Sequence, residues 1–338
     1  MTREFFGRTA AGEVVERVAL KGGGLTAHVM TWGAVVQDLR LDGHDGPLVL
    51  GFERFEDYPA HSPYFGAIAG RCANRIKGGR FSIDGVEHQA DTNFLGRHLL
   101  HGGRQGIGKR VWTIAALGED FVTLTLRDPD GTMGFPGALD ISCTYRLADG
   151  GRFIVDLRAQ TDAPTLCNLA HHSYFNLDDG GAGDCLDHLV SIEADAYLPV
   201  DHELIPTGDV LAVRETVFDF RRLRPIRAMS EGRPVAYDHN FCLSAQRGPL
   251  RNVARVEGGR SGLSMEVWTT EPGLQFYTGE KVARDVPGLE GRRYRAYAGF
   301  AMEPQVWPDS PNHRHFPQAV LCPGETYHQT SEYRFSRR

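Results

Sequence analysis

The chain holds 338 residues with a formal net charge of −6, from 43 acidic and 37 basic side chains, and 41% of its residues are hydrophobic against 24% charged. That balance supports a buried core under a solvated surface and excludes wholesale disorder, and the lack of any long basic run argues against a nucleic-acid partner. No stretch approaches the ~18 apolar residues of a membrane span and the N-terminal MTREFFGRTAAGE has no signal-like apolar segment, so no membrane partner and a cytoplasmic location are expected.

Strand-type segments begin at once, at 15–20 and 25–30; in the second, Leu25, Ala27 and Val29 alternate with Thr26 and His28, the period of two of a half-buried strand. The same period recurs at 121–126, 141–147 and 153–157, where Phe153, Val155 and Leu157 share one face. Glycine-rich joints, GGG at 22–24, ADGG at 148–151 and DDGGAG at 178–183, supply the reversals between them. Residues 201–231 mix turns with brief apolar runs and predict no long element. Few segments carry a helical stripe beyond two turns, and neither a repeat nor a compositional break marks a linker. The expectation is an all-β fold, a large, mainly antiparallel β-sandwich, with 1–338 as one domain.

Four histidine-bearing segments stand out: HLLHGG at 98–103, AHHSYFNL at 170–177, YDHNF at 237–241 and PNHRHFP at 311–317. Histidine can move protons near neutral pH or bind hydroxyl groups, although a single histidine in such a place is more often structural. His171 and His172 are consecutive, so in an extended chain they face opposite sides and do not share an ion. Neither an H-E-x-x-H helix nor a C-x-x-C pair among the six cysteines supports a metal site, and metal-independent chemistry is expected. No Rossmann or P-loop glycine pattern calls for a nucleotide cofactor. Arg221, Arg222 and Arg224 read as a solvated turn ahead of an anion site. Glu303 follows AGFAM; if 298–303 is a strand, this acid stands at its end, with one side open. The sequence leaves the oligomeric state open.

In chain order the segments GRCANRIKGGRF (70–81), LLHGG (99–103), DGTMGFPG (130–137), NLAHHSYFNL (168–177), YDHNF (237–241), TEPGLQFYTG (270–279) and AMEPQVWPDSPN (301–312) form a set that resembles the aldose 1-epimerase, or galactose mutarotase, family over nearly the whole length. The resemblance implies a large β-sandwich with a wide sugar cleft and no cofactor, and a free aldose as substrate, with galactose or glucose the leading candidates. It gives Glu303 the role of general base and His172 that of general acid, His101 that of a second active-site histidine, and Arg75, Asp238, Asn74 and Gln275 the binding of sugar hydroxyls. In that scheme Glu303 takes the C1 hydroxyl proton while protonated His172 donates to the ring oxygen. The aldehyde then rotates about C1–C2 and the ring closes on its other face. Phe276, Tyr277 or Trp307 is a candidate to cover an apolar sugar face, with the core as the commoner place for such aromatics. The chain departs from the family in TNFLGR, the lead into HLLHGG, and in His171, which stands where the family commonly has another polar residue. Two alternatives are a sugar-phosphate 1-epimerase, with the arginines at 221, 222 and 224 as candidate anion ligands, and an inactive sugar-binding module; joint presence of Glu303 and His172 favours catalysis.

Overall fold

A computed structural model describes residues 3–230 and 232–337. Its largest sheet has nine strands in the order Thr113–Leu117, Phe121–Asp128, Leu139–Ala148, Arg152–Thr161, Tyr327–Arg337, Leu263–Thr269, Arg251–Glu257, Leu189–Ile192 and Arg224–Pro225. Neighbours in it run antiparallel. The alternation read from the sequence is realised here: Ile141, Cys143, Tyr145 and Leu147 are buried on one face, opposite Phe153, Val155, Leu157 and Ala159 of the next strand. A period of two leaves the sheet no other way to hide these side chains.

A second sheet of six strands, in the order Tyr174–Phe175, Phe300–Gln305, Gly273–Tyr277, Asp238–Cys242, Ala196–Tyr197 and Leu211–Ala212, packs on the first. Phe276, Phe300 and Met302 enter the same hydrophobic cluster as Tyr145, Phe153 and Tyr333 of the large sheet. Two hydrogen bonds tie the layers, from Tyr333 Oη to the Met302 carbonyl at 2.9 Å and from Gln329 Nε2 to the Pro304 carbonyl at 2.9 Å. The N-terminal strands Arg3–Arg8, Val14–Gly22, Leu25–Met30 and Val36–Leu41 form a four-stranded sheet whose Leu20, Ala27 and Val29 join that cluster. Asp57–His61 is the one α-helix among the described residues, and none is long and apolar enough to cross a membrane.

One boundary differs from the sequence reading. The strand begins at Phe300 and runs to Gln305, so Glu303 lies inside it, paired with Gln275, and not at its end. Pro304 removes a donor without stopping the ladder, because the register continues to Gln305 opposite Gly273.

Beneath the loops that carry the 70–76 segment, Arg71 is fully buried. Its Nη2 meets Asp128 Oδ2 at 2.8 Å, and it donates to the carbonyls of Gly137, Pro136, Asp128 and Pro129. A guanidinium out of water is tolerable only with such full pairing, and the pairing fixes the chain that leads to Asn74 and Arg75.

Candidate active site

Two loops and two strands meet at one cleft. Arg75–Ile76 pairs with Leu99–Leu100, and the next residues lock together: His101 N–H donates to the Asn74 carbonyl at 2.9 Å while Asn74 N–H donates to His101 Nδ1 at 3.2 Å. Asn74 and His101 both have positive φ, 61° and 50°. The turn continues through Gly102 at φ 80°, where a Cβ would stand 1.9 Å from the Gly70 carbonyl oxygen, so only glycine fits.

His172 is set by its backbone, donating to Ala67 O at 2.9 Å and accepting from Gly66 N at 3.1 Å. As expected for consecutive residues of an extended chain, the two histidines part company. His171 is enclosed by the rings of Tyr145, Phe153 and Tyr333, with centroids 5.7, 5.6 and 5.9 Å away. His172 stacks on Tyr174 at 5.0 Å and brings its Nε2 to 3.5 Å from Glu303 Oε1. Across the second sheet Glu303 neighbours Gln275, which neighbours Asn240. Gln275 Nε2 donates to Asp238 Oδ1 at 2.6 Å and Arg75 Nη2 to Asp238 Oδ2 at 3.2 Å, so the carboxylate is held on both oxygens.

Six of the seven residues singled out in the sequence, Asn74, Arg75, His101, His172, Asp238 and Glu303, line this cleft of about 300 Å³. Gln275 stands behind Asp238, on a small hollow shared with Asn74, Arg75 and Asn240. Of the aromatic candidates, Tyr277 reaches the cleft wall. Phe276 belongs to the main core, and Trp307 packs on Phe316 at 5.1 Å with its indole N–H on the Pro272 carbonyl. Arg221, Arg222 and Arg224 line a different hollow, together with Arg214 and Asp219. The sequence reading did not pick out Tyr64, Phe94 or Tyr174. Tyr174 carried a signal, being two residues beyond His172 and so on its face of an extended chain. Phe94, 4.7 Å from the Arg75 guanidinium carbon, lies in the departing TNFLGR segment. Tyr64, on a loop remote in sequence, carried none.

Burial dominates the electrostatics, because removal from water disfavours whichever form is charged. It pushes the His172 imidazole down to about 4, against smaller upward contributions from a backbone hydrogen bond and Asp238. It pushes the Glu303 carboxyl well above its usual range, helped by Asp238 and opposed by Arg75. His101 is lowered by burial first, then by His172, Arg75 and Lys109. In the sugar-free cleft at neutral pH, therefore, both histidines are neutral, and the same burial favours the protonated form of Glu303. The sequence-based scheme starts from protonated His172, the form that this burial disfavours.

His101, His172 and Glu303 offer three donor atoms within 4.8 Å of one another, a possible metal cluster the sequence reading did not consider. The Asn74 amide, however, occupies the Nδ1 lone pair of His101. In a neutral ring the proton then sits on Nε2, which leaves that nitrogen a hydrogen-bond donor with no lone pair for an ion while the Asn74 bond stands. Two donors remain, His172 and Glu303, too few to hold an ion firmly.

The sequence matches the family model for Aldose 1-epimerase over residues 16–334. It is 41% identical to the galactose mutarotase of Bos taurus over 341 aligned residues, covering 99% of this chain and 98% of that protein. It is 38% identical to the aldose 1-epimerase of Escherichia coli K12, covering 92% of each. Among solved structures, an aldose epimerase homologue from C. elegans superposes with a TM-score of 0.88 at 30% identity, covering 95% of this chain and 98% of that one.

Proposed function

This chain belongs to the aldose 1-epimerase family and is an isomerase that interconverts the α and β anomers of an aldose; from that premise we propose that Glu303 is its general base and His172 its general acid, acting on a free hexose such as galactose or glucose. The observation that carries the reading is the approach of Glu303 Oε1 to His172 Nε2, 3.5 Å apart on the wall of a cleft that also presents Arg75 and Asp238. One proton serves the pair. With the ring closed, the Glu303 carboxylate accepts the C1 hydroxyl proton as the His172 imidazolium gives its own to the ring oxygen and the C1–O5 bond breaks. The products of that step are an aldehyde, a neutral carboxylic acid and a neutral imidazole. Rotation about C1–C2 turns the other face of the aldehyde to the C5 hydroxyl. Closure then returns one proton from Glu303 to the carbonyl oxygen and one from the C5 hydroxyl to His172.

Burial favours the neutral arrangement, the one that accompanies the open sugar, so the site biases the pair toward ring opening. The opposing cost is the formation of the ion pair with the closed ring; Asp238 favours charge on His172 and disfavours it on Glu303, while Arg75 acts in the reverse sense on each. Arg75 and Asp238 together supply donors and an acceptor for hydroxyl groups, and His101 supplies an Nε2–H.

An uncharged sugar is favoured over a sugar phosphate because both arginines that line the cleft already donate to groups of the protein. Arg75 is paired with Asp238, and Arg284 donates to the carbonyls of His61, Lys281 and Ala283. The six unpaired cysteines accord with a cytoplasmic location. The test is anomer-resolved NMR of freshly dissolved galactose, glucose, xylose, arabinose and glucose 6-phosphate, with each uncatalysed rate subtracted. Galactose or glucose should show the highest kcat/KM; preference for glucose 6-phosphate over every free sugar would replace this reading with the phosphate-specific one.

A further inference from the structure

Tyr64 enters the cleft from the loop that follows the helix Asp57–His61, and it does so at φ 69°, a conformation uncommon for a bulky residue and concentrated at functional sites. Two local bonds hold the loop: Ala67 N–H to the Tyr64 carbonyl at 3.1 Å and Phe65 N–H to Ser62 Oγ at 2.8 Å. The ring so presented lies 4.5 Å from the His101 ring and 6.0 Å from the His172 ring, nearly parallel to the latter at 22°. The two histidine rings are themselves 5.0 Å apart and edge-on, so the three rings form one packed triangle. Lys109, from the same glycine-rich stretch as His101, sets its ammonium 5.1 Å from the Tyr64 centroid. The Tyr64 hydroxyl is shut from water and finds no partner among the described residues, so the ring is what the site uses.

We propose that Tyr64, packed against His101 and under the Lys109 ammonium, is a positioning residue that fixes His101 as a neutral Nε2–H donor and leaves His172 as the one histidine that transfers protons. The proposal rests on the acid and base roles given above. Three contacts act on His101 together. The Asn74 N–H selects the tautomer by occupying Nδ1, the Tyr64 ring restrains the imidazole plane, and burial, with the nearby cations behind it, disfavours a second proton. The charged and titratable groups facing His101 are His172 and Glu303 from the second sheet and its neighbouring loop, Arg75 from its partner strand, Tyr64, and Lys109.

The experiment uses the full-length ¹⁵N-labelled protein and two-bond ¹H–¹⁵N correlation of histidine rings from about pH 5.5 to 8, with His101 assigned by its loss in His101→Asn. Wild-type His101 is expected to show a protonated Nε2, a bare Nδ1 and no titration over that range. Tyr64→Leu should bring a second tautomer or a titration into the range and should lower kcat on the order of tenfold or more with a smaller change in KM. Tyr64→Phe, which keeps the ring, should restore both the spectrum and kcat. An Nδ1–H tautomer or a titrating His101 in the wild type overturns the proposal. So does a wild-type spectrum in Tyr64→Leu, or failure of Tyr64→Phe to behave as wild type. The spectrum is readable without turnover, so loss of this proposal and loss of the assigned catalytic roles are separate results.

Discussion

Glu303 and His172 were legible in the sequence as residue types at motif positions, but their proton was not, because it depends on how much water the fold leaves around them. The neutral pair predicts a pH profile with a particular shape. Activity needs one proton on the pair: a second enters at His172, whose value is held near about 4, and the last leaves from Glu303, whose value is raised. The kcat/KM for galactose should therefore fall on the acid side toward the value of about 4 held by His172, and on the alkaline side as Glu303 loses its proton. A decline centred near the ordinary histidine value of about 6.5 would show instead that free His172 carries the proton. The same pair predicts that Glu303→Gln and His172→Asn each lower kcat by about 10²-fold or more while far-ultraviolet circular dichroism stays unchanged. Either variant turning over near the wild-type rate would remove its residue from the proton transfer. Asp238→Asn should act differently. Weakening the pairing to Arg75 and Gln275 loosens hydroxyl recognition, so KM should rise more than kcat falls, as measured by initial rates over a galactose series.

At the scale of elements, the sequence was most informative where one face of a strand is dry and the other wet. Residues 139–161 show this: Phe153, Val155 and Leu157 alternate with half-exposed neighbours, and the sheet follows. It was least informative where a strand is buried on both faces, since Phe300–Gln305 shows no alternation and its proline reads as a terminator. The cleft's loops divide in the same way. Asn74 and His101 sit in recognisable glycine-rich motifs whose turns demand positive φ, whereas Tyr64 and Phe94 arrive from segments whose only link to the site is tertiary. Because Gly102 allows the close crossing over Gly70, Gly102→Ala should displace His101. The expected result is a folded but less stable protein, its urea midpoint lowered, with kcat reduced on the order of tenfold or more. Unchanged kinetics would show that the turn relaxes without moving the histidine.

The molecule as a whole keeps several imidazoles out of water, and this sets its tolerance of acid. His171 is held down to about 3 and His239 to about 4, both chiefly by burial, as is His172. The unfolded chain binds protons at these positions below about 6.5 while the folded chain refuses them, so stability is lost as pH falls from about 6.5 toward 4, each site contributing up to about 1.4 kcal/mol per pH unit. Glu303 works in the opposite sense, because its raised value favours the folded state until pH rises through it. Urea melts between pH 7 and 5 should show a falling midpoint, and His171→Phe, set among the rings of Tyr145, Phe153 and Tyr333, should make the fall shallower. An equal slope in the variant would mean that His171 is not protected from protonation. The strand Tyr327–Arg337 has a consequence of another kind. It lies in the middle of the nine-stranded sheet, between Arg152–Thr161 and Leu263–Thr269, yet comes after both in the chain. On the ribosome, each of those two strands keeps one bare edge until residues 327–337 have emerged to pair with both, so a chaperone that shields unpaired strand edges is needed on this nascent chain for as long as that segment is held back.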